Sequence, residues 1–436
     1  MNLGEITDLQ VGYPFKSKDY SESPGAVKLV RGDNVVQGSF RWENVKKIEV
    51  KDVLPEVMQK YSLALYDVTL AMDRPWIAAG LKYSSVSEDD LPCLLVQRVC
   101  RLRAKDNLDQ RFLKYVIGSA EFTAHIRNFE TGTAVPHISQ SSIAEFSFSL
   151  PPLENQKAIA HILGTLDDKI ELNQQMTQTL EEIAKAIFKS WFVDFDPVRA
   201  KAEGRPTGLP PEISDLFPDE LVDSEIGEIP KGWRTSPLLS LCKKIESGGT
   251  PSRKTAEYWD AGTISWFKTG EFCDSPLLNS EEHITPLGLT KSAAKEWAPQ
   301  TILFAMYGAT VGKMAYLTGT GTANQAVAGI SPDENFGFAF VWQTLISGRS
   351  RLMSLANGAA QQNLNLGLVK DFTVIMPTAE LAKTFSNTTN SIYQRITLLY
   401  QESDCLSKLR DTLLPRLISG ELRIPDAEKF LEEAGI

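Results

Sequence analysis

Several short patterns in the sequence resemble catalytic or metal-binding motifs, and each is incomplete. Residues 308–314 have the outline of a phosphate-binding loop. However, the spacing between its glycines is one residue short, and Met314 replaces the hydroxyl that would bind magnesium. Residues 194–197 lack the second proline and the aromatic residue of the amino-methyltransferase loop, so the end of a helix is the better interpretation. The four histidines and five cysteines show no metal-ligand spacing. These patterns predict a chain without an active site, a cofactor or a metal centre.

Two polar, glycine-containing loops carry side chains that suit contact with nucleic-acid bases. They span residues 131–140 and 357–365. Asn and Gln can pair bidentately with adenine, and Ser or Thr can contact any base edge. The alternative is that these are solvated loops, but their equivalent places in an internal repeat favour base contact. The candidates are Thr133, His137, Ser139, Gln361, Gln362 and Asn363.

Two small basic clusters follow similar turns and suit contact with phosphate groups. Lys16 and Lys18 come after the turn at residues 12–14, and Arg253 and Lys254 come after the turn at residues 249–251. A basic run near residue 100 adds to the first half of the chain. The further candidates for DNA contact are Arg31, Arg98, Arg101 and Lys268.

Two long amphipathic segments must position these loops. Apolar residues recur at heptad spacing through residues 151–197, and a seam of period 3.5 on a helix requires a partner helix. The same pattern returns 226 residues later without a gap, so the partner is predicted to lie in the same chain. The candidate seam residues are Leu163, Leu166, Ile170, Leu180, Ile187, Trp191 and Phe192 in the first segment, and Ile392, Ile396, Leu399, Leu406 and Leu413 in the second. Polar seam positions such as Asn173 and Thr177, facing Ser403 or Arg410, are expected to fix the register.

The regions before the two helices also resemble each other, which indicates a duplication. The turn at residues 12–14 matches residues 249–251 at an offset of 237, residues 70–72 match 304–306 at 234, and Gln97 matches Gln325 at 228. The chain is therefore predicted to run body, helix, linker, body, helix. The predicted boundaries are 1–150, 151–198, 199–235, 236–376, 377–424 and 425–436.

Each body is predicted to be a mixed α+β domain. Short strands are expected at residues 27–30, 66–72, 263–267 and 302–306, and helices at 113–122 and 340–355. Residues 202–233 contain five prolines and many acids, which is typical of a linker. The first body carries 18 Lys/Arg against 19 Asp/Glu and the second carries 11 of each, so most of the net charge of −10 lies outside both bodies. The chain has no apolar run long enough to span a membrane and no signal-like start, and we expect it to be cytoplasmic.

The order of these elements resembles the specificity subunit of type I restriction-modification systems. The resemblance covers essentially the whole chain and is carried by residues 153–157, 189–197, 223–233 and 247–252, of which 191–197 and 227–233 are quite specific. It implies an α+β fold in which two similar globular α/β target recognition domains are joined by two long antiparallel coiled-coil helices as a pseudo-twofold repeat. It further implies that each domain (1–150 and 236–376) reads one half of a bipartite target in double-stranded DNA.

The resemblance also implies the partners of the chain. The helical segments 151–198 and 377–424 would set the spacing and dock two methyltransferase subunits, and restriction subunits would bind through these. The chain itself would be non-catalytic, with no cofactor and no membrane partner. The second helical segment departs from the first, because Leu417 stands in place of Trp191 and Pro415 lies near its end. Two alternatives remain open, an enzyme (methyltransferase or nuclease) and a coiled-coil scaffold without a role in nucleic-acid binding.

Overall fold

The computed structural model describes residues 1–77, 80–129, 137–225, 227–356, 363–433 and 435. These residues form two compact units. Unit 1 consists of Met1–Ile170 and Cys405–Ile436, and unit 2 consists of Glu171–Asp404. Both divisions fall inside long helices, so each unit contains one body together with parts of two helices.

The first body contains two four-stranded sheets, ordered β1-β10-β5-β8 and β2-β4-β3-β9, and the hairpin β6-β7. Its strands are β1 (Thr7–Val11), β2 (Tyr20–Ser21), β3 (Val27–Val30), β4 (Lys47–Ile48), β5 (Val68–Ala71), β6 (Trp76–Ile77), β7 (Gly80–Leu81), β8 (Tyr83–Ser85), β9 (Cys93–Leu95) and β10 (Val99–Ala104). Its helices are α1 (Leu3–Ile6), α2 (Pro55–Tyr61), α3 (Gln110–Ile117), α4 (Ala120–Asn128) and α5 (Gln140–Ala144), with 3-10 turns at Ser17–Asp19 and Val50–Asp52.

The chain continues through the long helix α6 (Leu153–Phe192) into the second body. There the sheets are ordered β14-β21-β18-β19-β16 and β17-β15-β20, with the pairs β11-β12 and β13-β22. The strands are β11 (Leu221–Ser224), β12 (Gly227–Pro230), β13 (Arg234–Pro237), β14 (Cys242–Ser247), β15 (Ile264–Phe267), β16 (Ser275–Leu277), β17 (Glu282–Ile284), β18 (Ile302–Ala305), β19 (Met314–Leu317), β20 (Thr322–Ala323), β21 (Val327–Pro332) and β22 (Thr373–Met376).

The remaining helices flank these strands. They are α7 (Asp196–Ala202), α8 (Pro211–Ser214), α9 (Pro286–Thr290), α10 (Phe338–Ser354), α11 (Leu366–Lys370), the second long helix α12 (Ala379–Ile418) and α13 (Ile424–Glu433). Further 3-10 turns lie at Leu238–Leu241, Ala256–Tyr258, Thr269–Glu271 and Gly308–Thr310.

Two predicted elements differ from the structure. The single helix expected at residues 113–122 is two helices, because α3 ends at Ile117 and Ser119 caps α4 by accepting a hydrogen bond from Phe122 N at 3.1 Å. The stretch predicted as a linker is folded onto unit 2. It contains α8 and the hairpin β11-β12, and Phe217 and Trp233 are buried in the unit 2 core. Burial of these aromatic side chains stabilises a folded segment, although the proline-rich composition had predicted a linker.

The two long helices are antiparallel within each unit. In unit 2, Asn173 on α6 donates a hydrogen bond to Glu402 on α12 at 2.9 Å. Eighteen residues further along α6, the ring of Trp191 packs edge-on against Phe385, earlier in α12. In unit 1, the first turns of α6 and the last turns of α12 share one hydrophobic core.

The bodies share a backbone plan at the level of single hydrogen bonds. Gly12 N donates to Val99 O at 3.1 Å, and Gly248 N donates to Val327 O at 3.0 Å. A side chain at either glycine would collide with backbone, at 2.2 and 2.3 Å, so the same close approach occurs twice. Gly12 therefore corresponds to Gly248, and the sequence match with Gly249 is wrong by one residue.

Each body contacts its long helix through a polar pair at corresponding positions. In unit 1, Tyr115 on α3 donates its hydroxyl proton to Asp167 on α6 at 2.9 Å. In unit 2, Gln343 on α10 donates to the Tyr393 hydroxyl on α12 at 2.8 Å. Tyr115 and Gln343 are 228 residues apart, and Asp167 and Tyr393 are 226 apart, which are offsets of the repeat.

The Asp167 carboxylate lies at the centre of a charged network. Lys114 Nζ lies 2.6 Å from one of its oxygens, and Arg410 Nη1 of α12 donates to the other at 2.8 Å. Burial opposes ionisation of Asp167, but the two cations and their hydrogen bonds hold its pKa below the ordinary value. Asp167 was not among the predicted seam residues, and Arg410 was expected to face Asn173 or Thr177. The structure instead pairs Arg410 with Asp167.

Candidate nucleic-acid interface

Three chain turns meet at one end of the first body. Asp73 follows β5, Arg98 lies in the turn between β9 and β10, and His137 precedes α5. Backbone bonds join the turns, since Met72 N donates to Arg98 O at 2.8 Å and Ile138 N donates to Met72 O at 2.7 Å. The structure therefore brings together Arg98 and His137, which the sequence had placed in separate motifs.

The Asp73 carboxylate links the side chains of this group. One of its oxygens lies 2.7 Å from Arg98 Nη1, and the other contacts His137 Nδ1. The Asp73 side chain is 24% exposed, whereas those of Arg98 and His137 are 70% and 55% exposed. The carboxylate thus holds two accessible hydrogen-bonding side chains at fixed positions. We call Arg31, Asp73, Arg98 and His137 the first rim.

Arg31 belongs to the first rim because of strand topology. β3 and β9 run parallel, so their carboxyl ends lie at the same edge, and Arg31 directly follows β3. The next residue, Gly32, packs beside β5, because a methyl group there would lie 3.9 Å from Ala71 Cβ and 4.0 Å from Asp73 O. The Arg31 Nη2 atom lies 3.5 Å from Oδ2 of Asp33.

The second body repeats this arrangement of turns. Met306 N donates to Ala326 O at 2.8 Å, and Leu364 N donates to Met306 O at 2.9 Å. Asn363 therefore takes the place of His137, and its Oδ1 accepts a hydrogen bond from Gly308 N at 3.4 Å. We call Lys268, Tyr307, Ala326 and Asn363 the second rim.

The second rim carries different chemistry on the same backbone. Tyr307 replaces Asp73, Ala326 replaces Arg98, and Asn363 replaces His137 at offsets of 234, 228 and 226. Lys268 follows the parallel strand β15 as Arg31 follows β3. Neither the carboxylate nor the guanidinium of the first rim has a counterpart at its position in the second. The two rims therefore present different hydrogen-bonding groups.

The remaining basic candidates fall into two groups. Lys16, Lys18 and Lys254 are exposed, as phosphate contact requires. Arg253 pairs with Glu282, which also lies 3.2 Å from Lys268 Nζ. The guanidinium of Arg253 also stacks over the ring of Trp259, with its central carbon 3.6 Å from the ring centroid. Arg253 and Lys268 are thus partly neutralised within unit 2.

Two further candidates have structural roles. The Arg101 side chain is 7% exposed and its guanidinium pairs with Asp8 on the neighbouring strand, so we leave it out of the proposed interface. Ser139 caps α5 by accepting a hydrogen bond from Ser142 N at 3.0 Å. Asn365 caps α11 in the corresponding place by accepting from Leu368 N at 2.9 Å. Thr133, Gln361 and Gln362 lie outside the described residues.

The predicted seam residues lie within the helix pair. Eight of them are buried, namely Leu163, Leu166, Trp191, Phe192, Ile396, Leu399, Leu406 and Leu413. Ile170, Leu180, Ile187 and Ile392 are half-buried and pack against the same cores. These side chains hold the two helices together, so a partner protein would have to contact another face.

The sequence reasoning missed an exposed apolar stripe on α6. Leu172 and Ile183 are 48% and 44% exposed, and they lie on one face of the helix with the half-buried Met176. The spacing of eleven residues between Leu172 and Ile183 is three helical turns, and this regularity off the main seam was the available signal. We call these three residues the α6 stripe.

The described parts of the chain contain no cluster of three or more potential metal-ligating His, Cys, Asp or Glu side chains. Among the helices described, none is both long and apolar enough to cross a membrane.

Comparisons with known proteins bear on this geometry. The family model described as "Type I restriction modification DNA specificity domain" matches residues 1–182 and 230–399. The chain is 30% identical over 347 residues to the "Type I restriction enzyme HindI specificity subunit" of Haemophilus influenzae, covering 70% of this chain and 75% of that protein. It is 24% identical over 325 residues to the "Type I restriction enzyme MjaIX specificity subunit" of Methanocaldococcus jannaschii, covering 74% and 71%.

A solved structure shares the fold. The "Type-I restriction-modification system S subunit from M. genitalium" aligns with a TM-score of 0.53 at 15% identity, over 96% of this chain and 95% of that one. The match extends over both bodies and both long helices.

Proposed function

Because the chain belongs to the type I restriction-modification DNA specificity family, we propose that it is a DNA-recognition subunit whose two bodies each bind one half of a bipartite target. The observation that carries the proposal is the pair of rims. The same three turns are joined by the same backbone bonds in each body, yet the exposed side chains differ. A duplicated frame with different side chains suits a protein that reads two different short sequences.

The long helices suit a spacer between two readers. Each has 40 residues, which corresponds to about 60 Å at about 1.5 Å per residue. Each body is joined to the helices by a polar contact as well as by a hydrophobic core, so the angle between body and helix is fixed within each unit. A fixed angle and a fixed length would define the number of unread base pairs between the half-sites.

Mapping adenine methylation in cells that carry the complete system tests this function. We expect a bipartite methylation motif, and we expect replacement of residues 1–150 by the matching body of a relative to change one half only. Methylation without a bipartite motif, or a change in both halves, would contradict the proposal. Replacement of residues 236–376 is the matched experiment and should change the other half.

We also propose that methyltransferase subunits dock on the α6 stripe. An exposed apolar row on a charged helix is a typical protein contact, and Leu172, Met176 and Ile183 recur at helical spacing on a face that flanks the buried seam. At the offset of 226, the corresponding positions on α12 are Leu398, Glu402 and Leu409, which form a less apolar row. We therefore expect α6 to be the stronger docking helix.

In this proposal the chain is non-catalytic and the partners supply the chemistry. The acidic net charge of −10 repels DNA at long range, so tight DNA binding is expected to need the partner subunits. Calorimetry with S-adenosylmethionine should detect no binding to the isolated chain and clear binding to the assembled complex. An equal DNA affinity with and without the partner subunits, across a salt series, would contradict the expectation that tight DNA binding needs the partners.

A further inference from the structure

We propose that Arg98 reads a guanine in the half-site bound by the first body, and that Asp73 is the positioning residue that holds it. The inference rests on the proposed function, because it requires the first body to bind DNA. It goes further than that function by naming the side chain that contacts a base, the base itself and the residue that positions the side chain.

The backbone at Arg98 indicates a functional position. Its φ of +68° lies in the left-handed region, which is unfavourable for a residue with a Cβ. The corresponding residue of the second body, Ala326, is not among the residues with positive φ. The turn between β9 and β10 therefore holds Arg98 in a conformation that its counterpart does not adopt. Local strain of this kind is concentrated at functional sites.

The contacts of Asp73 orient the guanidinium. One carboxylate oxygen lies 2.7 Å from Arg98 Nη1, and the other contacts His137. Asp73 thus binds one nitrogen of the Arg98 guanidinium group, while 70% of the Arg98 side chain stays exposed. A charged hydrogen bond of this length restricts the rotamers of a long side chain, so less conformational freedom is lost when DNA binds.

A base edge suits this group better than a phosphate. The Asp73 carboxylate cancels most of the Arg98 charge and would repel a phosphate at close range. Guanine presents two neutral acceptors, O6 and N7, that match two parallel N–H donors. Adenine presents a donor at the position of O6, which would face a donor of Arg98. Lys16 and Lys18 are exposed on the same body, and their ammonium groups suit phosphates better.

The test compares Arg98→Lys, Arg98→Ala and Asp73→Asn in the full complex with its methyltransferase subunits. Arg98→Lys keeps the positive charge but removes the two parallel N–H donors, so it separates recognition of the base from the effect of charge. We expect both Arg98 variants to lose on the order of tenfold to a hundredfold discrimination for G·C at one position of one half-site. Asp73→Asn should relax the same position by a smaller factor. Melting temperatures are expected to stay at the wild-type value.

A matched control lies on the second rim. Asn363→Ala should relax a position in the other half-site and leave the Arg98 position unchanged. Full G·C discrimination in both Arg98 variants would overturn the inference, as would an equal loss of affinity for all sequences. A wild-type complex that shows no bipartite specificity would overturn the proposed function instead, so the two failures are distinguishable. Unchanged discrimination in Asp73→Asn would remove the positioning role.

Discussion

The two bodies attach to the long helices at corresponding positions with different chemistry. In unit 1 the contact is a half-buried carboxylate, Asp167, that binds two cations and a tyrosine hydroxyl. In unit 2 it is an uncharged pair, Gln343 and Tyr393. The comparison shows that the repeat preserves the backbone and the location of each contact while the polar groups are exchanged. The same holds for the rims, where Asp73 and Arg98 give way to Tyr307 and Ala326.

Asp167 and Tyr393 occupy corresponding positions, but their removal should lower the unfolding free energy by different amounts. Asp167→Ala would leave Lys114 partly buried without its anion and Arg410 paired with Asp411 alone, so we expect the unfolding free energy to fall by about 3 kcal/mol. The matched variant Tyr393→Phe removes one neutral hydrogen bond and should cost about 1 kcal/mol. Urea denaturation of the purified variants measures both, and equal losses would contradict the comparison.

The two long helices should differ in partner binding. The double variant Leu172→Glu and Ile183→Glu places charges on the α6 stripe, and we expect its affinity for the methyltransferase subunit to fall by about 100-fold. Leu398→Glu is the matched control on α12 and should have a smaller effect. Isothermal titration calorimetry measures the affinities, and circular dichroism should show unchanged helix content. A larger effect at Leu398 would reverse the assignment of the docking helix.

The two units should respond to pH in opposite directions. Burial, together with the nearby Asp274, raises the pKa of Glu181 in unit 2 to about 7. Folded Glu181 then binds more protons than unfolded Glu181 between its ordinary pKa and about 7, so its contribution to stability falls as pH rises through that window. The lowered pKa of Asp167 has the opposite sign. Its contribution is present above its ordinary pKa and is lost in acid.

Glu181→Gln tests this difference. The variant removes an ionisation that opposes folding, so we expect it to raise the unfolding free energy at pH 8 by about 2 kcal/mol. It should have little effect near pH 4, where the native Glu181 is already protonated. Denaturation curves across pH measure the change. A gain of stability at pH 4 that equals the gain at pH 8 would show that ionisation is not the cause.

Helices α5 and α11 should lose similar amounts of stability when their N-caps are removed. Ser139→Ala and Asn365→Ala each remove an N-cap, and each should lower the unfolding free energy by about 1 kcal/mol. Ser139 was also predicted to contact DNA, and a variant with lowered stability and an unchanged methylation motif would assign it to capping alone. A changed motif would restore the base contact.

Much of the architecture could be predicted from the sequence. The α+β fold class, the family and the repeat with its two helices are confirmed. Strand β3 has its predicted bounds, and β5 begins two residues later than predicted because Tyr66 has a left-handed backbone. The six predicted boundaries stay a prediction, as do the DNA contacts of the site residues.

The errors have physical reasons. The match of Gly12 with Gly249 was wrong by one residue because side-chain identity in a turn carries less information than hydrogen-bond register. The stretch predicted as a linker is folded because Phe217 and Trp233 gain more from burial than its prolines cost in regular structure. The DNA contact of Arg101 stays a prediction, although its side chain is only 7% exposed and pairs with Asp8 on the neighbouring strand.

The repeat and the helical seam can be read from the order of residues, because periodicity and offset are properties of the chain alone. Which side chains meet depends on how the chain folds. Asp73, Arg98 and His137 are separated by 25 and 39 residues, and the backbone bonds of three turns bring them together. Arg410 pairs with the half-buried carboxylate of Asp167, which was not among the predicted seam residues. Long-range contacts of this kind depend on sheet register and burial, which no local pattern specifies.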